Sequence, residues 1–416
     1  MKSVILRPNV FENEMFDTLF IRAMGYTPCS AASLGECYYV AREIKKAGES
    51  LKSWVTCWKA MAVRTEALAR NFEGEENPIA AYNTYLRAWN YYRAAETFVV
   101  PQGSEEHASL YRDSIRCFDK ALKHAPFIGE KIAIPYEGTT LPGHFFKRRA
   151  EAEAARPTIV LNGGGDGAGE ELFPLCGVTQ ALDYGFNVLT FHGPGHRGAL
   201  NQDPQLIFRY DWEKVIGPVL DYCETRADVK ADRVGLYGVS LGGYLAPRAA
   251  AFEPRVKAIA VNGILPNYYH FWTDSIMEYV PGIFRKFAAK KLADLTETDF
   301  NRLAEPLTKK DFGLEWIASL MNWTNGTKTF GEFLVKTKGL DNLPLAEKIS
   351  IPFLSLQSEG EGELARRAAQ EFFERLPGDK LHITFKGENG ADQHCALNNL
   401  QFAADVVYPW FQKKLL

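Results

Sequence analysis

The chain has 416 residues, 46% of them hydrophobic, and a formal net charge of −3 from 48 Lys+Arg against 51 Asp+Glu. That composition excludes disorder and low-complexity sequence, and it lacks the basic excess of a nucleic-acid binder. No stretch approaches the ~18 apolar residues of a membrane helix. Met1–Asn9 meets charge and proline before any signal-peptide core can form. The seven cysteines are scattered without a Cys-x-x-Cys pair, which argues against a disulfide framework and against zinc. The expectation is a cytoplasmic protein that engages neither membrane nor nucleic acid.

Residues 1–127 read as a succession of helices. Clear segments are 41–46, 51–61, 78–98 and 105–124, and Tyr82, Tyr85, Trp89 and Tyr92 fall on one helical face. Aromatic packing between helices explains that face, with pocket lining as the rival reading. From residue 128 the pattern changes to alternating strands and helices, continuing to residue 416. Strand candidates are 131–135, 143–147, 158–161, 187–191, 233–237, 257–261, 352–357 and 381–385. Helical patterns occupy 172–183, 211–225, 241–252, 364–376 and 401–414. This alternation predicts an α/β fold with a mostly parallel eight-stranded sheet covered by helices. Between strands six and seven, residues 262–350 are aromatic-rich and mostly helical, too long for a loop and therefore expected to be a lid-like insertion.

The chemistry begins at Gly238-Val-Ser240-Leu-Gly242-Gly243, which follows a strand pattern and opens a helix. That context makes the Gly-x-Ser-x-Gly pattern a nucleophile elbow, with the Ser240 hydroxyl presented above the sheet. A serine hydroxyl needs a base, and the base needs an acid to orient it. Two histidines follow the insertion; His382 lies inside a strand pattern, whereas His394 lies in a loop before the final helix. The acid is expected after the seventh strand, where Glu361 is the first choice and Glu359 the alternative. Backbone donors for an oxyanion are expected at Leu241 and in Asn162-Gly-Gly-Gly165-Asp-Gly, with Gly165 the single best position. Gly164, Asp166, His192, Tyr268, Tyr269 and Trp272 are candidate substrate contacts. His192 and His196, even with Asp211 nearby, find no third ligand at convincing spacing, so neither a metal nor any other cofactor is expected.

These motifs resemble one group of α/β-hydrolases. The resemblance rests on Asn162-Gly-Gly-Gly-Asp-Gly with Glu170-Glu171, Gly193-Pro-Gly, Asp211-Trp-Glu with Pro218 and Asp221-Tyr222, the stretch from Gly238 to Ala251, and His394-Cys395. The group contains fungal pigment-pathway hydrolases that shorten a polyketide chain and the bacterial 2,6-dihydroxypseudooxynicotine hydrolase. The resemblance covers roughly residues 78–416 and implies an N-terminal helical cap domain, here 1–127, over a catalytic domain at 128–416. It further implies a Ser-acid-His enzyme that hydrolyses a carbon–carbon bond beside a ketone in a small polyketide-like or aromatic substrate, commonly as a homodimer. Three positions depart from the group's pattern: Glu361 replaces an Asp, His192 replaces a strand-end Asp, and Gly165 replaces a bulky residue. The same apparatus would serve an esterase, lactonase, thioesterase or acyl-transferring cyclase. A binding protein on a dead scaffold would lack the nucleophile or the base, and both are present.

Overall fold

The computed structural model describes residues 8–277, 283 and 285–416. Five helices come first: α1 (Glu14–Met24), α2 (Leu34–Ala47), α3 (Leu51–Gly74), α4 (Pro78–Thr97) and α5 (Glu105–Lys123). Their starts are written locally. Asn13, Ser50, Asn77 and Ser104 each accept backbone N–H groups of the first turn, and Pro78 opens α4 where no N–H partner is needed.

Helix α4 is buried on nearly every side, and Tyr82, Tyr85, Trp89 and Tyr92 are core residues rather than pocket lining. Their polar tips are provided for: the Tyr85 hydroxyl donates to Glu73 (2.6 Å) and the Tyr92 hydroxyl to Glu66 (2.8 Å). Asn90 donates to the carbonyls of Ala23 and Ala31, stitching α4 to the chain around α1. A buried tyrosine or asparagine must be matched in this way, and each match fixes one inter-helix register.

The sheet holds β1 (Ile128–Tyr136), β2 (Thr139–Lys147), β3 (Arg156–Asn162), β4 (Asn187–Phe191), β5 (Val229–Val239), β6 (Val256–Asn262), β7 (Phe353–Ser358) and β8 (Lys380–Phe385). Its order is β1-β2-β4-β3-β5-β6-β7-β8, antiparallel from β1 to β4 and parallel from there on. Every residue of β4 and β7 is buried, as expected of strands covered on both faces, whereas the edge strand β8 is mostly part-exposed.

Between the strands lie α6 (Leu172–Leu175), α7 (Val178–Asp183), α8 (Arg197–Gln202), α9 (Glu213–Glu224) and α10 (Gly242–Ala250). The single helix expected at 172–183 is two short ones, because Gly177 turns left-handed (φ +64°) between them. After β6 the insertion forms α11 (Tyr268–Met277), α12 (Arg285–Asp294), α13 (Glu297–Thr308), α14 (Phe312–Asn325) and α15 (Phe330–Thr337). Helix α16 (Glu363–Arg375) links β7 to β8, and α17 (Leu400–Leu415) closes the chain. Among the described residues, no helix is long and apolar enough to cross a membrane.

Candidate active site

Parallel strands bring their carboxyl ends to one edge, so the loops after β3, β5, β7 and β8 meet there. Ser240 sits on the turn between β5 and α10 with φ +58°, a left-handed conformation that costs a non-glycine residue about 1–3 kcal/mol. Two backbone bonds hold it there: Ser240 N–H donates to Asn262 (3.1 Å), and the Gly243 N–H donates to the Ser240 carbonyl (2.6 Å). Gly243 is obligatory, since a Cβ there would stand 1.8 Å from the Gly263 carbonyl oxygen.

His394 Nε2 lies 2.9 Å from Ser240 Oγ, and His394 Nδ1 lies 2.9 Å from Glu361 Oε1. The three side chains, 121 and 154 positions from Ser240, thus form one hydrogen-bonded line. The imidazole is 41% exposed toward the adjoining cavity, while the carboxylate is only 9% exposed. Glu361 is further held by the Gln357 side-chain amide and by the Cys395 N–H (3.4 Å). Glu359, two residues earlier on the same short turn, faces away and accepts from the Gly387 N–H (3.2 Å). The His394 loop is itself strained. Cys395 and Ala396 adopt φ +54° and +57°, and Asn262 secures them by donating to the Cys395 carbonyl (3.1 Å). Enclosure disfavours the imidazolium, but Cys395 and the Glu361 carboxylate beside the ring outweigh it and push the His394 pKa up.

On the other side of Ser240 lies the glycine loop after β3. A Cβ on Gly164 would stand 2.7 Å from Ser240 Cβ, so only glycine lets the loop come this close. The Gly164 N–H is taken by the Gly167 carbonyl (2.8 Å). Among the described residues, no backbone acceptor occupies the N–H of Gly165 or Leu241.

Beyond the serine opens a cavity of about 470 Å³. Gly165, Leu241 and His394 line it near Ser240; Tyr268, Phe271 and Trp272 of α11 and Trp316, Leu320 and Met321 of α14 form its wall. Asp166, Asn267 and His270 are its polar lining beyond Ser240, Glu361 and His394. Helices α1–α5 contribute no lining residue among those described.

Three expected substrate contacts lie elsewhere. Gly164 packs against Ser240 beneath the cavity. His192 is fully buried behind the loop, with Nε2 2.8 Å from Glu170 and Nδ1 accepting the Gly198 N–H (3.2 Å). Tyr269 points about 100° around the helix from Tyr268 and donates its hydroxyl to the Leu292 carbonyl (2.8 Å). Asp211, which the sequence placed near two histidines, is engaged by Arg209 (2.8 Å). Among the described residues, the one group of three potential metal ligands lying within 4.8 Å of one another is Glu361, His394 and Cys395, whose imidazole already engages the carboxylate (2.9 Å) and the thiol (3.4 Å).

Comparison with known proteins agrees with this fold. A model of the alpha/beta hydrolase family matches residues 159–398. The chain belongs to that family. It is 32% identical over 338 residues to the alpha/beta hydrolase psoB of Aspergillus fumigatus, covering 77% of this chain and 72% of that protein. It is 29% identical to the 20-hydroxy-prefusarin hydrolase FUS2 of Gibberella moniliformis, covering 78% and 77%. Among solved structures, the 2,6-dihydroxy-pseudo-oxynicotine hydrolase superposes with a TM-score of 0.70 at 18% identity over 94% of this chain and 95% of that one. Fold and family together make this α/β-hydrolase an enzyme of the hydrolase class.

Proposed function

We propose that the chain is a serine hydrolase that cleaves a carbon–carbon bond beside a ketone in an apolar, aromatic or polyketide-like substrate. The observation that carries the reading is the Ser240–His394–Glu361 line, with 2.9 Å at both links, opening onto an aromatic-walled cavity. His394 Nε2 takes the Ser240 proton as Oγ bonds to the carbonyl carbon, and Glu361 stabilises the resulting imidazolium. The N–H groups of Leu241 and Gly165 hold the oxyanion. Collapse breaks the carbon–carbon bond, its electron pair leaves as an enolate carbon, and His394 returns the proton to that carbon. Water, deprotonated by His394, then releases the acyl group as a carboxylic acid and restores Ser240. Expelling carbon needs a stabilised leaving group and little competing solvent, which the insertion's Tyr268, Trp272 and Trp316 favour by walling the cavity with rings. The name of the relative acting on 20-hydroxy-prefusarin is in keeping with such a substrate.

The test is to supply purified protein with aryl esters and with aromatic β-diketones and to weigh the products. Diketone cleavage that adds one water and yields an acid and a ketone supports the reading. Ester turnover with intact diketone replaces it with esterase, lactonase or acyl-transfer chemistry on the same three residues.

A further inference from the structure

Beside the glycine loop, around Glu171, lies a cluster of largely buried charges that the reaction above does not use. Its centre is Glu171, fully buried, whose Oε1 accepts from Arg22 Nε (2.7 Å) and the Tyr26 hydroxyl (2.6 Å) and stands 3.1 Å from Arg93 Nη1. Its Oε2 accepts from Arg197 Nη2 (2.8 Å). Three guanidiniums converge on one carboxylate, so none of them is free to drift. Arg22 alone reaches past Glu171 to the loop: its Nη1 is 2.5 Å from Asp166 Oδ2. A Cβ on Gly167 would stand 2.5 Å from Arg22 Nη2, so the guanidinium lies against the loop backbone itself. Asp166 directly follows Gly165, the residue offered above as oxyanion donor, and it also lines the cavity with a side chain 30% exposed.

We infer that Arg22 is a positioning residue for the oxyanion hole: helix α1, through Arg22 and Asp166, holds the Gly165 N–H at the angle the developing oxyanion requires. Arg22 touches neither substrate nor nucleophile; it acts through the loop. A charge-assisted bond between two such groups is directional, and Glu171 fixes one end of it. An oxyanion donor that tilts by a fraction of an ångström loses transition-state stabilisation while leaving ground-state binding alone. The inference therefore rests on the proposed role of Gly165.

The experiment uses the full chain with Arg22→Gln, Arg22→Lys, Asp166→Ala and the Arg22→Gln/Asp166→Ala double variant. Asp166→Ala changes a part-exposed side chain and leaves the Arg22–Glu171 bond in place, so it reports even where a buried Arg22 variant folds poorly. Turnover of the best substrate is measured beside the rate at which a 4-nitrophenyl alkylphosphonate labels Ser240, a reaction that places an anionic oxygen in the oxyanion hole. The expected result is a fall in kcat and in labelling rate of about 10–100-fold for Arg22→Gln and Asp166→Ala. KM should stay within about threefold, Arg22→Lys should recover part of the loss, and the double variant should be no worse than the poorer single. Labelling at the wild-type rate in folded variants overturns the inference, as does a raised KM with unchanged kcat, which would make Asp166 a substrate contact. Failure of the wild-type protein itself to be labelled at Ser240 would overturn the proposed function instead.

Discussion

The two faces of the glycine loop are built from opposite materials. Toward the cavity stand Leu241, Trp316, Leu320 and Met321, with Asp166 the loop's own carboxylate on that side. On the α1 side stand Arg22, Arg93 and Arg197 around the fully buried Glu171, none of the three guanidinium side chains more than 12% exposed. An apolar wall accommodates shape and can change one residue at a time, because dispersion contacts are individually weak. A buried ionic cluster cannot, since removing one member leaves its partners desolvated and unpaired. On the proposals above, the contrast is a division of labour: the insertion's side of the loop reads the substrate, and the α1 side sets how the loop stands.

The largest effect should come from the shared machinery between the two faces. Ser240→Ala is expected to lower kcat by at least about 10⁴-fold without changing the melting temperature by more than a few degrees, checked by turnover and calorimetry. Retained turnover would move the nucleophile elsewhere. Glu361→Gln should cost about 10²–10⁴-fold, because the amide supports the wrong imidazole tautomer, whereas Glu359→Gln should remain within about threefold. The same pair sharpens the pH dependence. His394 must be neutral to act as base, and its pKa lies above the free imidazole value of about 6.5. The rising limb of kcat/KM is therefore expected above pH 6.5 in the wild type and shifted to lower pH in Glu361→Gln, where the carboxylate no longer favours the imidazolium. An unshifted limb in that variant would detach Glu361 from His394.

Next in size, and confined to the apolar face, is Trp272→Ala. Its ring lines the cavity and packs edge-on against Phe330 and Phe333. For a large aromatic substrate kcat/KM should fall about 10-fold, while a small aryl ester should change by less than about threefold. Equal losses on both substrates would show that the ring supports the machinery instead of reading the substrate.

The same division explains how far the sequence could be read. The eight strands, the elbow at Ser240 and the loop position of His394 are local patterns: short apolar runs alternating with helices, glycine where a Cβ would collide, and a histidine outside any strand. The choice between Glu361 and Glu359 was half legible, because both carboxylates sit on one tight turn and only the contacts from Gln357 and Gly387 aim them apart. Tyr268 and Tyr269 are neighbours on one helix, and a periodicity without a partner surface could not say which faces the cavity. The Arg22 cluster was illegible. Its members are 144 and 149 residues apart along the chain, on α1 and on the loop and short turn after β3, and no spacing rule joins them. Helix α1 itself, short and capped only by Asn13, carried too weak a pattern to be singled out within 1–127.

The smallest expected effect probes the α1 side by pH. Glu96 is buried there, with Oε2 3.4 Å from Arg197 Nη1 and Oε1 3.3 Å from His107 Nε2. Burial, aided by the nearby Glu171 and Glu170 carboxylates, raises its pKa to about 7 despite Arg197 and Arg93. In the unfolded chain the same group titrates near about 4.3. Between those values the folded protein holds a proton that the unfolded chain has released, so stability falls as pH rises through the window. His107, lowered to about 3 by burial and Arg197, acts in the opposite sense, costing stability as pH falls below about 6.5. His394, with its raised pKa, also loses stability at alkaline pH, but it does so equally in both proteins compared below. Glu96→Gln carries no proton to lose. Between pH 5.5 and 8 its melting temperature should therefore drop less than that of the wild type, by a margin on the order of a few degrees. Parallel curves for the two proteins would mean that Glu96 is already ionised in the fold, leaving the three arginines fully neutralised by Glu171, Asp166 and Glu96.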